Sequence, residues 1–424
     1  MGLPATGRSA GEVLDALHAH GAHDVAWREG RAFTLAYSAG PEVLGLAEEA
    51  YARFAGANAL NTEAFPSLRD MQAEVVNIVG SWVAAPDGAA GFMTSGGTES
   101  ILLAVLAARQ RGRAERGVTE PTVVLPASAH AAFEKAGFYF GVRTVRVPVR
   151  DDWRADVDAM AAAIDDDTVL VVASAPQYPQ GVVDPVAQVA ALAEARGVSC
   201  HVDACMGGVV LPYLERLGHA FAPWDFRVPG VTSMSIDLHK FGYTAKGASV
   251  LLHRNRALRR YQTFVTDNWL GGAYGSSGIQ GTKSGGSIAA AWAVMQHLGD
   301  DGYLLLASTA RRATEELADA VAAIDGLALR ARPDTTLVAF GAADRADRAS
   351  PDDAASLDVF AVADELWRRG WYVDRQGPPP SLHCTVNAVH AGRIADFATD
   401  LADAVTRCRG SAGSADVGVY GTVE

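Results

Sequence analysis

Apolar residues near the start of the chain recur at helical spacing. Val13, Leu14, Leu17 and His18 mark a helix over residues 10–24. Residues 41–56 (PEVLGLAEEAYARFAG) predict a second helix, with Pro41 suited to its first turn. Asn58 to Ser67 carries no period and is expected to be irregular, after which Met71 to Val83 returns to a 3.6-residue repeat.

The rhythm then changes. Short β-prone apolar runs stand at Gly91–Thr94, Thr122–Pro126, Thr144–Val147, Thr168–Ala173, Ser199–Val202, Ser233–Ile236 and Ala248–Leu252. Helical stretches fall between them at Thr98–Arg113, His130–Gly137, Asp156–Ile164 and Pro185–Gly197. Strands alternating with helices predict an α/β fold with a mostly parallel, buried sheet. Functional side chains should then sit just beyond the carboxyl ends of the strands, where loops converge on a crevice.

From about residue 300 long Ala-rich helices take over (Tyr303–Ile324, Asp358–Arg369, Arg393–Arg407), with strands at Leu327–Arg330, Thr336–Phe340 and His383–Val389. That predicts a smaller α+β domain, with Pro378-Pro379-Pro380 as a stiff connector and a fraying Gly- and Ser-rich end from Gly410 to Glu424. The expected organisation is an N-terminal helical segment (1–60), a large domain (61–300) and a small C-terminal domain (301–424). At roughly 150 residues per domain, 424 residues hold two or three cores.

Composition narrows the function classes. With 36 Lys and Arg against 49 Asp and Glu the net charge is −13, which argues against nucleic acid as a partner. Four Cys do not make a disulfide framework and none are spaced as a CxxC clip, so a reducing cytoplasm is the expected location. No apolar run reaches the ~18 residues of a membrane span; Ile288–Met295 is far too short. The first thirty residues lack the pattern of a secretory signal. Met1-Gly2 with Thr6 formally matches an acylation pattern, but one so short that it recurs by accident. A soluble protein without a membrane partner is expected.

Four segments carry candidate chemistry. In Ser233–Gly247 (SMSIDLHKFGYTAKG) an apolar strand ends in Asp237-Leu238-His239-Lys240. An ammonium is costly to bury, and condensation with an aldehyde cofactor would relieve that cost; a surface loop lysine is the plain alternative. In HVDACMGGV a strand delivers Asp203 at its end, either to pair with a cationic ring nitrogen or to cap the next turn. In FMTSGGTES, Gly97 and Thr98 open a helix whose free N–H groups suit a phosphate, although a Gly-Gly helix start is often only a turn. Neither a Walker loop nor GxGxxG is present, so a nucleotide is not indicated. His130 follows a strand and offers a flat ring for stacking, or is simply a satisfied structural histidine. The order phosphate cradle, flat histidine, carboxylate and lysine, each after a predicted strand, favours one shared site.

SGGTES, His130, HVDACMGG and SIDLHKFGYTAKG together closely resemble the fold-type I pyridoxal-phosphate enzymes of the group II decarboxylase superfamily, and within it the sphingosine-1-phosphate lyases. The likeness extends to residues 65–79 (FPSLRDMQAEVVNIV), 174–186 (SAPQYPQGVVDPV), 274–286 (YGSSGIQGTKSGG) and 379–390 (PPSLHCTVNAVH). The resemblance implies an aspartate aminotransferase-like fold and pyridoxal 5'-phosphate as cofactor. It implies that Lys240 forms the Schiff base, Asp203 pairs with the ring nitrogen, His130 stacks on the ring, and Gly97, Thr98 and His239 hold the phosphate. It also implies a homodimer with shared active sites, in which Ser276 or Ser277 reaches the neighbouring subunit's phosphate. Lys246 matches a second lysine near the substrate.

Two positions depart from the lyase pattern. Asn61 stands where the lyases carry a histidine, and Lys283 where they carry the arginine of GSRPG. One exchange removes a group that titrates near neutrality, and the other replaces a planar fork by a point charge.

The activity implied is cleavage of the Cα–Cβ bond of an amino alcohol or β-hydroxy amine, phosphorylated or not, to an aldehyde. Lys246 or Tyr243 would transfer the proton. The alternative is an amino-acid α-decarboxylase, with Lys283, Lys246 or Arg375 anchoring the carboxylate. A non-catalytic protein keeping the fold is disfavoured by Lys240 and Asp203, which have no evident structural reason to be charged. Cys200, Cys205, Cys384 and Cys408 are expected to be small buried residues, with Cys205 lining the site. Trp367–Trp371 is expected to be packing. Of His18, His20 and His23 only the last two share a helix face, so no metal is expected.

Overall fold

A computed structural model of the chain describes residues 2–343 and 357–410. Most of the C-terminal segment expected to fray, and Met1 of the acylation pattern, lie outside the described residues. The chain opens with three helices, α1 (Ala10–His20), α2 (Pro41–Phe54) and α3 (Pro66–Trp82). Ser9 and Glu12 close α1 with a reciprocal capping box. Its apolar positions Val13, Leu14 and Leu17 are nonetheless exposed. α3 begins five residues before the predicted Met71, because Pro66 supplies the first turn.

A wound α/β unit follows: β1 (Ala90–Thr94), α4 (Gly97–Arg116), β2 (Thr122–Pro126), α5 (Ala132–Phe140), β3 (Arg143–Val147), α6 (Val157–Ala163), β4 (Thr168–Ser174), α7 (Val186–Arg196), β5 (Ser199–Asp203), α8 (Val210–Arg216), β6 (Ser233–Asp237) and β7 (Ser249–His253). The seven strands form one sheet in the order β1-β7-β6-β5-β4-β2-β3. Within it only β7 runs against the other strands. β2, β4, β5, β6 and β7 are buried along their whole length, as a sheet covered on both faces requires. The carboxyl ends of β1, β2, β4, β5 and β6 therefore open on the same edge, where a site is expected.

Beyond the sheet, α9 (Arg256–Arg259) leads to a hairpin of β8 (Phe264–Thr266) and β9 (Tyr274–Ser276). The sequence pattern missed α8 and this hairpin, whose strands are too short to show a period. One long helix, α10 (Gly286–Ala323), crosses residue 300 and is interrupted at Gly299, whose φ of 57° only glycine adopts at little cost.

The C-terminal part contains β10 (Leu327–Leu329), β11 (Leu337–Ala342), α11 (Val359–Arg368), β12 (Asp374–Gln376), β13 (Ser381–Thr385) and α12 (Ile394–Cys408). Its sheet is antiparallel in the order β10-β11-β13-β12. Pro378–Pro380 turns β12 into β13. The predicted strand His383–Val389 stops at Thr385, because Asn387 and His390 cap a short 3-10 turn reciprocally. Trp371 is fully buried against Phe397, whereas Trp367 is half exposed. The two largest core clusters among the described residues lie around the large sheet and between the small sheet and α11 and α12, and a third joins α4 and α5 to β2 and β4. All four cysteines are buried and free.

Candidate active site

The ends of β1, β2, β4, β5 and β6 deliver side chains to a shared cavity of about 410 Å³. That is room for a small organic ligand. Gly97, Thr98, His130, Asp203, Cys205, His239, Lys240 and Lys246 all line it. Ser276 and Ser277 do not. The Ser276 hydroxyl donates to the Gly278 carbonyl, and Ser277 Oγ lies 3.3 Å from Thr263 Oγ1.

The lysine is held by a carboxylate. β6 ends at Asp237, the chain turns sharply, and Lys240 Nζ comes back to 3.0 Å from Asp237 Oδ2. Burial alone would raise the Asp237 carboxyl, but Lys240 and then His239 hold it below the usual range. Its other oxygen, Oδ1, is buried without a hydrogen-bond partner. The sequence reading quoted Asp237 without giving it a role; its place three residues before the lysine was the available signal.

The start of α4 is packed against the same carboxylate. A Cβ at Gly97 would lie 2.8 Å from both Asp237 Oδ2 and Cys205 Sγ, so no larger residue fits. No side chain caps this helix, which leaves its first N–H groups and its positive dipole end to the cavity. Glu99 is buried one turn in and accepts from Ser95 N–H and Ile279 N–H, tying the loop after β9 to the helix start.

His239 accepts a backbone hydrogen bond at Nδ1 from Ala248, and His130 accepts one from Ala132. Burial lowers both imidazoles, against the opposing pull of Asp237 on His239 and of Asp203 on His130, so both rings are neutral near pH 7. Asp203 closes β5; its Oδ1 accepts from Cys205 N–H at 3.1 Å and from the Ser235 hydroxyl at 3.3 Å. Burial, then Asp203 and Asp237, push the Cys205 thiol well above its ordinary range, which makes it an inert wall. In the same HVDACMGG run, a Cβ at Gly207 would collide with Ala175 and Pro176 at the end of β4.

Lys246 stands at the cavity mouth, with water on one side and protein on the other. Its Nζ donates to the His239 carbonyl at 3.2 Å and lies 4.9 Å over the Tyr37 ring. Crowding by protein, and then Lys240, lowers its ammonium to about 8, and contact with water limits how far that goes. Tyr243 lies outside the cavity lining, and its hydroxyl accepts from Ala388 N–H. Lys283 packs 4.0 Å over Phe92 and donates to the Met93 carbonyl, while Asn61 caps Glu63 N–H on the surface. Neither lines the cavity. Ser174 and Tyr178, which the sequence offers only within the 174–186 likeness and without a role, do. Among the described residues no cluster of His, Cys, Asp or Glu could hold a metal ion.

A lysine amine, a buried carboxylate, a flat neutral imidazole and an uncapped helix start form the donor set of a pyridoxal-phosphate enzyme. Residues 20–343 match the model of the pyridoxal-dependent decarboxylase conserved domain. The chain is 39% identical to sphingosine-1-phosphate lyase 1 of Rattus norvegicus, over 96% of this chain and 70% of the rat protein. It is 37% identical to the sphingosine-1-phosphate lyase of Arabidopsis thaliana, over 97% of this chain and 74% of that one. The solved sphingosine-1-phosphate lyase of Burkholderia pseudomallei superposes with a TM-score of 0.89 at 37% identity, covering 97% of this chain and 93% of that chain. Glutamate decarboxylase of Lactobacillus brevis, at 22% identity and a TM-score of 0.83, shares the fold. The chain thus belongs to the pyridoxal-dependent decarboxylase family and is a pyridoxal-phosphate-dependent lyase. The site fits that cofactor: the uncapped start of α4 offers free N–H groups to a phosphate, and the Lys240 amine stands in the same cavity for an aldehyde.

Proposed function

We propose that the chain cleaves the Cα–Cβ bond of a β-hydroxy amine, releasing an aldehyde, with a phosphorylated long-chain amino alcohol as the preferred substrate class. The observation carrying this reading is Lys246, a second lysine at the cavity mouth whose ammonium is lowered to about 8. Breaking the bond requires the β-hydroxyl to lose its proton, and an amine near neutral pH can take it. Relatives at 33–39% identity carrying the name sphingosine-1-phosphate lyase support the substrate class.

Lys240 is the amine that condenses with the cofactor's aldehyde, with Asp237 as its counter-charge. Gly97 and Thr98 at the start of α4, with His239, hold the phosphate. His130 would offer its flat ring to the cofactor ring, and Asp203 would hold a proton on the ring nitrogen. Cys205 walls the pocket beside Asp203 and Gly97. Bound pyridoxal phosphate supplies the electron sink for the pair released from the Cα–Cβ bond. Lys246 takes the β-hydroxyl proton.

The working unit in this reading is a homodimer with shared sites. Ser276 and Ser277 stand outside their own cavity on a segment that also exposes Phe264, Val265, Trp269 and Leu270. An apolar patch of that kind marks a contact surface. A cytoplasmic location is supported by four free buried cysteines. No helix among the described residues is long and apolar enough to cross a membrane.

The test is a panel of β-hydroxy amines, with and without phosphate, assayed for aldehyde, beside amino acids assayed for carbon dioxide. Aldehyde from a phosphorylated long-chain member is expected. Carbon dioxide without aldehyde would reassign the chain to decarboxylation.

A further inference from the structure

A histidine lies beneath Asp203, fully buried and outside the cavity lining. β5 and β6 pair with His201 opposite Ser233 and Asp203 opposite Ser235. Because side chains alternate along a strand, these four residues share one face of the sheet. Their polar atoms form a chain: Ser233 Oγ is 2.9 Å from His201 Nδ1, His201 Nε2 is 3.1 Å from Ser235 Oγ, and Ser235 Oγ is 3.3 Å from Asp203 Oδ1.

The direction of this chain is determined at one end. Ser235 also meets the Cys205 side chain, but a neutral thiol is a weak acceptor and an ionised carboxylate a strong one that only accepts, so the single Ser235 hydrogen points to Asp203. The Ser235 oxygen must then accept from His201, which puts the ring proton on Nε2. Nδ1 is left with a lone pair, and Ser233 donates to it. The opposite tautomer would draw the Ser235 hydrogen away and set a hydroxyl lone pair against the carboxylate. Burial lowers the His201 imidazole to about 4, so the ring is neutral and must choose one tautomer. The edge of Phe133 packs against it at 6.0 Å.

We propose that His201 is a positioning residue: as the Nε2–H tautomer it aims the Ser235 hydroxyl at Asp203 and so keeps the proton on the cofactor's ring nitrogen. This rests on the reading of Asp203 as that nitrogen's partner. Donation from Ser235 stabilises the charged carboxylate, which favours an ion pair with a protonated ring over a neutral pair with the proton on Asp203. Cys205 N–H and Ser235 both donate to Oδ1, leaving Oδ2 for a donor from the cavity.

The experiment is nitrogen NMR on the holoprotein, first with isotope-labelled histidine and then with isotope-labelled pyridoxal phosphate. The His201 signal, assigned by its loss in His201→Gln, is expected at the position of a neutral ring protonated on Nε2. The cofactor nitrogen is expected to be protonated in the parent and in His201→Gln, whose amide keeps a donor near Nε2. It is expected to shift toward the unprotonated position in Ser235→Ala and His201→Leu, with cofactor affinity down roughly tenfold, the size of one charge-assisted hydrogen bond. A His201 ring protonated on Nδ1 would overturn the proposal even if neither Ser235→Ala nor His201→Leu folds. So would a cofactor nitrogen and affinity unchanged in both Ser235→Ala and His201→Leu. A parent protein that binds no pyridoxal phosphate would instead sink the reading of the site itself.

Discussion

Lys240 and Asp237 face each other across one turn, Nζ to Oδ2 at 3.0 Å, with the carboxylate buried and its second oxygen unpartnered. Removing one member of such a pair leaves an uncompensated charge, whereas removing both is close to neutral. Lys240→Met is therefore expected to lower the stability of the cofactor-free protein by about 2–3 kcal/mol, at or below the ~3–5 kcal/mol of a fully buried pair because the Lys240 side chain keeps some contact with water. The double variant Lys240→Met/Asp237→Leu should recover most of it, and urea midpoints at pH 7 provide the check.

The same pair predicts a pH dependence. The folded Asp237 carboxyl is lowered, so it contributes stability above the unfolded carboxyl's value of about 4, and that contribution is lost as pH falls through the lower folded value. Lys240→Met removes the main cause of the lowering. Its stability deficit should be present at pH 6 and shrink toward zero at low pH; acid titrations of the two proteins would show a constant difference if the pair were irrelevant.

Lys246 as the base predicts a rate limb. Its neutral amine is the active form, so kcat/KM for cleavage should rise with pH up to about 8 and then level. Lys246→Met should lose the limb and about 100-fold or more in rate, the usual contribution of a general base. A retained limb would move the role elsewhere.

The packing of α4 against Asp237 and Cys205 makes Gly97 intolerant of substitution. Gly97→Ala should cost about 1–3 kcal/mol by overpacking and weaken cofactor binding at the same time. Denaturation and cofactor titration of one preparation measure both.

Shared active sites predict complementation. Lys240→Ala and Ser276→Ala/Ser277→Ala are each expected to be impaired, but mixed and reassembled dimers contain one site with a native lysine and the partner's native serines. About a quarter of parental activity should return, from random pairing of equal amounts. No recovery after demonstrated subunit exchange would show that each chain completes its own site.

Much of this site was legible in the sequence because β-strand ends are. The runs ending in Asp203 and Asp237 are short and β-prone up to the carboxylate, and the structure ends both strands on that residue. Glycines just past strand ends signal close approach, which Gly97 beyond β1 and Gly207 beyond β5 display. What stayed hidden depends on registration between distant segments. Ser235 meets Asp203 only because β5 and β6 pair as they do, and Glu99 meets Ile279 across 180 residues. Exposure was hidden for a similar reason: α1 has an ordinary amphipathic pattern, yet nothing among the described residues covers Val13, Leu14 and Leu17. Tyr178, quoted within 174–186, has no role legible in the sequence because PQYPQG has no period, although its hydroxyl reaches Asp374 in the small sheet.

The central claim is the bond between Lys240 and the cofactor. Borohydride reduction of the yellow holoprotein, followed by peptide mass spectrometry, tests it directly. The account predicts a pyridoxyl-phosphate adduct on the peptide containing Lys240 and none on Lys246 or Lys283. A colourless protein that takes up no pyridoxal phosphate, or an adduct on a different lysine, would contradict it.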